Sequence, residues 1–338
     1  MRLTESDAAF LYTETASGNM HTASILVLEG ELSHEKVLEH MRARMHLVPR
    51  YMQKLAFVPF NLAHPKWVDD ASFDIENHVR AFSVKPGSSL EEAVDEVIVL
   101  NQKLLDRSRP LWMTYVVDGV PGKTLLLQQV HHAMIDGVSG IDLLMILMDF
   151  EQEPKAPPPP EKPWTPDEEP SPLALMTEAL RDNVESLLDD VQQPPPVDEK
   201  SRMLLGNATR AMTRFFSEPA IMAPWNAGLV GPARKLRWLK HPFSEFREIR
   251  RAFGGTINDV VLATVSEGAA RYLADHDEAT EGKNLRIMCP VSVRTEDEQG
   301  ALGNRVSGIF PTLPASPMRI LERYHACLLY TSDAADDR

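Results

Sequence analysis

Apolar and polar residues alternate with two different periods along the first 150 residues, and the periods predict strands and helices in turn. Ala23, Ile25, Val27 and the apolar positions between them make a strand over residues 23–29, closed by a turn at Gly30. A helix is expected from about Ser33, with Val37, Leu38 and Met41 facing inward. Further on, the pattern predicts a long helix over 90–105 and strands over 113–117 and 124–130, joined by the turn Asp118-Gly119-Val120-Pro121-Gly122. A helix is expected over 139–150. Residues 154–172 break this order: Pro157 to Pro160 are consecutive, and Glu161, Asp167, Glu168 and Glu169 add charge without core-forming side chains. An extended, solvated linker is expected there. Leu173, Met176, Leu180, Val184, Leu187 and Val191 then recur at helical spacing until Pro194 to Pro196, which predicts a helix bridging two halves and burying that stripe.

Composition fits a globular chain of two domains: 338 residues, 43% hydrophobic and 25% charged. A formal net charge of −14 with no basic block argues against a nucleic-acid partner, since phosphate backbones reward clustered Lys and Arg. Cys289 and Cys327 are too few for a disulfide framework, which suits a reducing cytoplasm, and neither has the setting of a nucleophile. No stretch approaches the roughly 20 uninterrupted apolar residues of a membrane span, so any membrane contact is expected to be peripheral.

The densest chemistry lies in Val130-His131-His132-Ala133-Met134-Ile135-Asp136-Gly137, at the predicted passage from strand to helix. A histidine titrates near neutral pH and accepts a proton from an alcohol, so transfer to a hydroxyl is the candidate reaction. Side chains alternate across a strand, so His131 and His132 point to opposite faces and only one of them can serve a given substrate. Gly137 permits an abrupt backbone turn that would fix Asp136 relative to the histidines. Zinc ligation by His and Asp four residues apart is disfavoured, because no third ligand stands at suitable spacing. Pro110, Leu111 and Trp112 are read as structural: a chain break and a large apolar core residue. Asn258-Asp259 opens a helix carrying Val261, Leu262 and Val265 after the turn Gly254-Gly255-Thr256, so either residue can act as its cap.

These segments carry a resemblance. His131 to Gly137 matches the HHxxxDG motif of acyl-CoA-dependent acyltransferases and condensation domains. Pro110-Leu111-Trp112 resembles the PLW motif, and Asn258-Asp259-Val260-Val261-Leu262-Ala263 the NDVVLA motif, of the bacterial bifunctional wax ester synthase/diacylglycerol acyltransferase family. Asp7-Ala8-Ala9-Phe10-Leu11-Tyr12, Met20-His21, Phe73-Asp74, Pro290 to Arg294 and Gly303-Asn304-Arg305 are similar to that family as well, over about residues 3–314.

The resemblance implies an α/β (α+β) fold of two chloramphenicol-acetyltransferase-like domains of mixed sheet and helices, with the active site in the channel between them. Boundaries are expected at 1–153 for the N-terminal domain, 154–200 for the Pro-rich linker and bridging helix, and 201–327 for a partial C-terminal domain. Residues 328–338, small and acidic without periodicity, are expected to lie outside the fold, as at the end of a fragment. The implied reaction moves a long-chain acyl group from acyl-CoA, as substrate, to diacylglycerol or a fatty alcohol. It needs no cofactor and no metal. His132 is then the general base, His131 a support and Asp136 an orienting residue paired with Arg294. Gly137 gives backbone room, and Asn258 beside Asp259 is an oxyanion donor. A cytoplasmic enzyme, peripheral to the inner membrane or lipid bodies, is expected. Two other readings stay open at this point: a carrier-dependent condensation-type acyltransferase, and a noncatalytic protein that binds lipid or CoA.

Overall fold

The structure is a computed structural model that describes residues 1–134, 146–149, 157–192, 221–226, 231–292 and 306–336. The chain divides into two compact units. The first comprises Met1–Gln192, Val230–Arg237 and Arg294–Arg305, and the second Gln193–Leu229, Trp238–Val293 and Val306–Arg338.

Nine elements build the first unit up to its histidine pair: helix α1 (Glu5–Thr13), strand β1 (His21–Glu29), helix α2 (His34–Arg42), strands β2 (Gln53–Ala56), β3 (Lys66–Asp69) and β4 (Val79–Ser83), helix α3 (Leu90–Val97), and strands β5 (Trp112–Asp118) and β6 (Lys123–His131). Side chains cap the three helices: Thr4 accepts from Asp7 N–H, Ser33 from Lys36 N–H, and Ser89 and Glu92 form a reciprocal capping box. The main sheet runs β1-β6-β5-β4, antiparallel except for the β4–β5 pair, which α3 connects as a parallel crossover. Both faces are covered. Trp112, Val116, Leu126 and Val130 pack with Ala8 and Leu11 of α1 and Val37, Leu38 and Met41 of α2. On the opposite face, Val117, Leu125 and Leu127 pack with Ala93, Val94 and Val97 of α3. Burial on both faces explains why Leu125-Leu126-Leu127 reads as a continuous apolar run. The β5–β6 turn contains Gly119 at φ 103°, where a Cβ would stand 2.5 Å from the Val84 carbonyl oxygen.

Two expectations need correction in this unit. The helix predicted over 90–105 ends at Val97 and continues as a 3-10 turn over Ile98–Gln102, because Asn101 turns inward to serve a buried polar cluster. Residues 157–171 have neither helix nor strand and are largely exposed, and they touch the unit at three points: the Trp164 ring meets Phe73 edge-on, Asp167 N–H donates to Asp69, and Glu169 pairs with Lys54 at 3.0 Å. Helix α4 (Pro172–Gln192) turns the other side inward. Leu175 and Ala179 are buried, Leu175 against Ala56 and Val68, while Leu173, Leu180 and Val184 of the predicted stripe are exposed. Polar bonds outweigh periodicity here: Arg2 binds Asp182 at 3.0 Å, Lys66 binds Glu178 at 2.9 Å, and Asn183 donates to the Leu62 carbonyl.

In the second unit, helices α5 (Phe243–Phe253) and α6 (Ile257–Asp275) precede strands β7 (Asn284–Arg286), β8 (Cys289–Ser292), β9 (Val306–Ile309) and β10 (Thr312–Pro314), and helix α7 (Ile320–Asp336) follows. β7 pairs with β10 and β8 with β9, both antiparallel. Val260 and Ala263 of α6 pack with Leu313, Tyr324 and Cys327. The buried Arg323 holds Glu267 at 3.2 Å and donates to the Pro314 and Ser316 carbonyls. Residues 328–336, expected outside the fold, continue α7, and Leu328 packs against the α6–α7 cluster.

Candidate active site

The tandem histidines stand at the end of β6, and the ladder itself separates them. Successive strand N–H groups point to opposite neighbours: His131 N–H donates to the Leu111 carbonyl beside β5 at 3.0 Å, and His132 N–H to the Met20 carbonyl before β1 at 2.9 Å. The two backbones are thereby fixed from both sides.

The side chains differ as alternation predicts. His131 is fully buried, on the α3 face of the sheet with Gln129. Its Nδ1 accepts the Ala133 N–H at 3.0 Å, which places the ring proton on Nε2, 3.4 Å from Glu14 Oε1. Burial pushes this imidazole down to about 4, against the attraction of the Glu14 carboxylate, so His131 is neutral at physiological pH. His132 is only half-buried and stacks on Phe10 of α1, with ring centroids 4.8 Å apart and 19° between planes. It is the member of the pair that retains access to solvent.

A buried polar cluster surrounds them. The Glu14 side chain is 1% exposed. Burial alone would raise its carboxyl, but the Met20 N–H at 2.9 Å and the Arg107 guanidinium at 2.9 Å outweigh that and hold it below the usual range. His21, the ladder partner of His131, donates from Nε2 to the Asn101 carbonyl at 3.2 Å, and burial lowers its pKa. Asn101 Oδ1 also accepts from Gln129 at 2.9 Å.

Pro110, Leu111 and Trp112 are buried beneath this cluster. Leu111 provides the carbonyl that receives His131. The Trp112 indole N–H donates to the Tyr51 carbonyl at 2.8 Å, and its ring is stacked between Tyr51 and His78 with centroids 4.3 and 4.7 Å away. The motif therefore acts through packing and backbone acceptors, the Trp112 carbonyl also receiving His78 Nδ1 at 2.8 Å. Asn258 and Asp259 lie in the second unit. Asp259 is buried and completes a capping box with Thr256, whose N–H and hydroxyl donate to Oδ2 at 2.6 and 2.7 Å, whereas the Asn258 side chain is exposed. Asp136, Gly137 and Arg294 lie outside the described residues. Among the described residues, no three His, Cys, Asp or Glu side chains converge as a metal site would require.

Sequence reasoning missed Glu14, Arg107, Asn101 and Gln129 as parts of this site. Glu14 and Arg107 are 93 residues apart, and no spacing rule relates them. The available signal was a weak one: polar residues at 101 and 129 interrupting apolar periodic segments.

Residues 3–261 match the family model of the wax ester synthase/diacylglycerol acyltransferase catalytic domain. A putative diacylglycerol O-acyltransferase of Mycobacterium tuberculosis is 31% identical over 334 residues, covering 96% of this chain and 70% of the relative. A probable diacylglycerol O-acyltransferase of the same species is 29% identical, covering 95% and 68%. Among solved structures, the wax ester synthase/diacylglycerol acyltransferase of Marinobacter aquaeolei VT8 superimposes with a TM-score of 0.64 at 20% identity, over 99% of this chain and 72% of the other. The first condensation domain of the calcium-dependent antibiotic synthetase reaches 0.63 at 15% identity, over 100% and 76%, a likeness of fold alone. The mixed sheet-and-helix class is common to all of these, and the family match over most of the length decides among them: the chain belongs to the wax ester synthase/diacylglycerol acyltransferase family.

Proposed function

We propose that this protein transfers a long-chain acyl group from acyl-CoA to the hydroxyl of diacylglycerol or a fatty alcohol, with His132 as general base. The observation that carries the choice of base is the contrast within the pair: His131 is sealed and its Nδ1 lone pair is already used by Ala133 N–H, whereas His132 is stacked and half-accessible. The neutral imidazole takes the hydroxyl proton as the oxygen attacks the thioester carbonyl. Collapse of the tetrahedral adduct breaks the carbon–sulfur bond, and the proton passes to the departing thiolate, leaving an ester and free CoA. A thioester is already activated, so no acyl-enzyme is required, and neither cofactor nor metal enters the scheme. A positioned base supplies about a hundred- to ten-thousand-fold, and holding the two substrates in line supplies much of the remainder. Both acceptors partition into lipid, so we place acceptor uptake at a lipid-body or inner-membrane surface.

Thiol release from palmitoyl-CoA, measured with and without hexadecanol or dioleoylglycerol, tests the activity, with the ester product identified by mass. Release that depends on the acceptor is expected. His132→Ala should lower kcat by about 100-fold or more while retaining the wild-type melting curve. Near-wild-type turnover in that variant rules out the base.

A further inference from the structure

We propose that Glu14, together with Arg107, is a positioning residue for acyl transfer: a buried carboxylate, paired with a part-exposed guanidinium, ties together the three supports that fix the His132 imidazole. The inference rests on the reading of His132 as the base.

The first support is the backbone. His132 N–H is received by the Met20 carbonyl, and Glu14 Oε1 accepts the Met20 N–H at 2.9 Å, so the carboxylate stands in for a strand neighbour where the ladder runs out. The second is the ring platform. Phe10, on which His132 stacks, lies in α1 beside Leu11, whose carbonyl receives Arg107 Nη2 at 2.7 Å. That same nitrogen reaches Glu14 Oε2 at 2.9 Å, so the end of α1 is bound to the carboxylate that holds Met20. The third is His131, whose Nε2 faces Glu14 Oε1 at 3.4 Å and whose Nδ1 fixes Ala133 N–H on the far side of His132. Backbone, stacking partner and preceding residue thus converge on one carboxylate.

Stability alone is a poor account of such a pair. Desolvating the carboxylate offsets much of what its pairing returns, and water screens the attraction of a guanidinium whose side chain is 34% exposed. What the pair supplies is direction. A carboxylate with separate oxygens for Met20 and Arg107 fixes two segments at defined angles, which apolar packing does not.

The test uses the whole chain with palmitoyl-CoA and hexadecanol, comparing wild type, Glu14→Gln, Arg107→Met, Arg107→Lys and His132→Ala. Glu14→Gln keeps the shape and an oxygen for Met20 but loses the charge. It should lower kcat by about 10- to 100-fold with both KM values within about twofold of wild type. That split between kcat and KM is a readout a merely structural role would not give. Arg107→Met should lower kcat in the same way, and Arg107→Lys, which retains the charge, should restore part of kcat. Wild-type kcat in Glu14→Gln alongside an inactive His132→Ala overturns the inference and leaves the base standing. Wild-type activity in His132→Ala removes the base itself. Should Glu14→Gln lose its cooperative melt, Arg107→Lys decides: reduced kcat at unchanged KM supports the positioning role, and unchanged kcat overturns it.

Discussion

His131 and His132 share a chemical identity and a strand end, yet one is enclosed and the other half-accessible because side chains alternate across β6. Enclosure has a thermodynamic consequence. His21, His78 and His131 all have pKa values lowered first by burial, with hydrogen bonds or Glu14 opposing the shift in each case. A histidine depressed in the folded state takes up its proton in the unfolded chain first, so stability is present above about pH 6.5 and is lost as pH falls toward the folded value. For His131 that window runs from 6.5 down to about 4. Urea denaturation should therefore show lower stability at pH 5 than at pH 7.5, and His131→Gln should flatten that slope relative to wild type, whatever it does to stability at pH 7.5. An unchanged slope would mean that His131 binds its proton alike in the folded and unfolded chains. Alternation made this split legible in the sequence. The tautomer was not, because it is fixed by Ala133 N–H and faces a carboxylate 117 positions away in the chain.

At the scale of elements, legibility followed how local the stabilising interactions are. β6 and α2 bury apolar side chains at their own period, so a window of sequence contains the needed information. Helix α4 does not: its apolar stripe at Leu173, Leu180 and Val184 faces out, since Arg2, Lys66 and the Leu62 carbonyl hold its other side by partners that the helix sequence cannot reveal. α3 ends early for a similar reason, its following turn being drawn in by Gln129 and His21. The Asn258-Asp259 segment shows the opposite case. That a cap starts α6 here was readable locally, but the capping residue is Thr256, which the sequence pattern placed in the turn, with Asp259 closing the box and Asn258 left exposed; the box is what holds Asp259 buried at the start of α6. Thr256→Ala removes the side chain that accepts Asp259 N–H and donates to Asp259 Oδ2, so a loss of about 1 kcal/mol is expected in chemical denaturation. Thr256→Ser keeps both bonds and should remain close to wild type. Equal losses in the two variants would assign the effect to the methyl group rather than to the cap.

At the scale of the molecule, charge links composition to substrate. The chain carries a formal charge of −14, and the acyl donor we assign to it is itself a polyanion through its phosphates. Two like-charged partners repel at long range, so their encounter is slower than neutral diffusion would give, and mobile ions relieve that penalty within a Debye length of about 10 Å at 0.1 M. Opposing this is a short run of cations in the first unit, Arg234, Lys235 and Arg237, although Arg237 is already committed to Asp95 at 2.7 and 2.9 Å. The two terms predict opposite salt dependences. If net charge governs the encounter, kcat/KM for acyl-CoA rises as ionic strength is increased from about 0.02 to 0.15 M. If a cationic patch receives the phosphates, it falls. Net charge is expected to win, because the paired Arg237 leaves that stretch weaker than its sequence suggests. The measurement is kcat/KM for palmitoyl-CoA at several salt concentrations, with the alcohol saturating so that only donor capture is read. A decrease that disappears in Lys235→Gln would transfer donor recognition to that stretch and overrule the acidic composition.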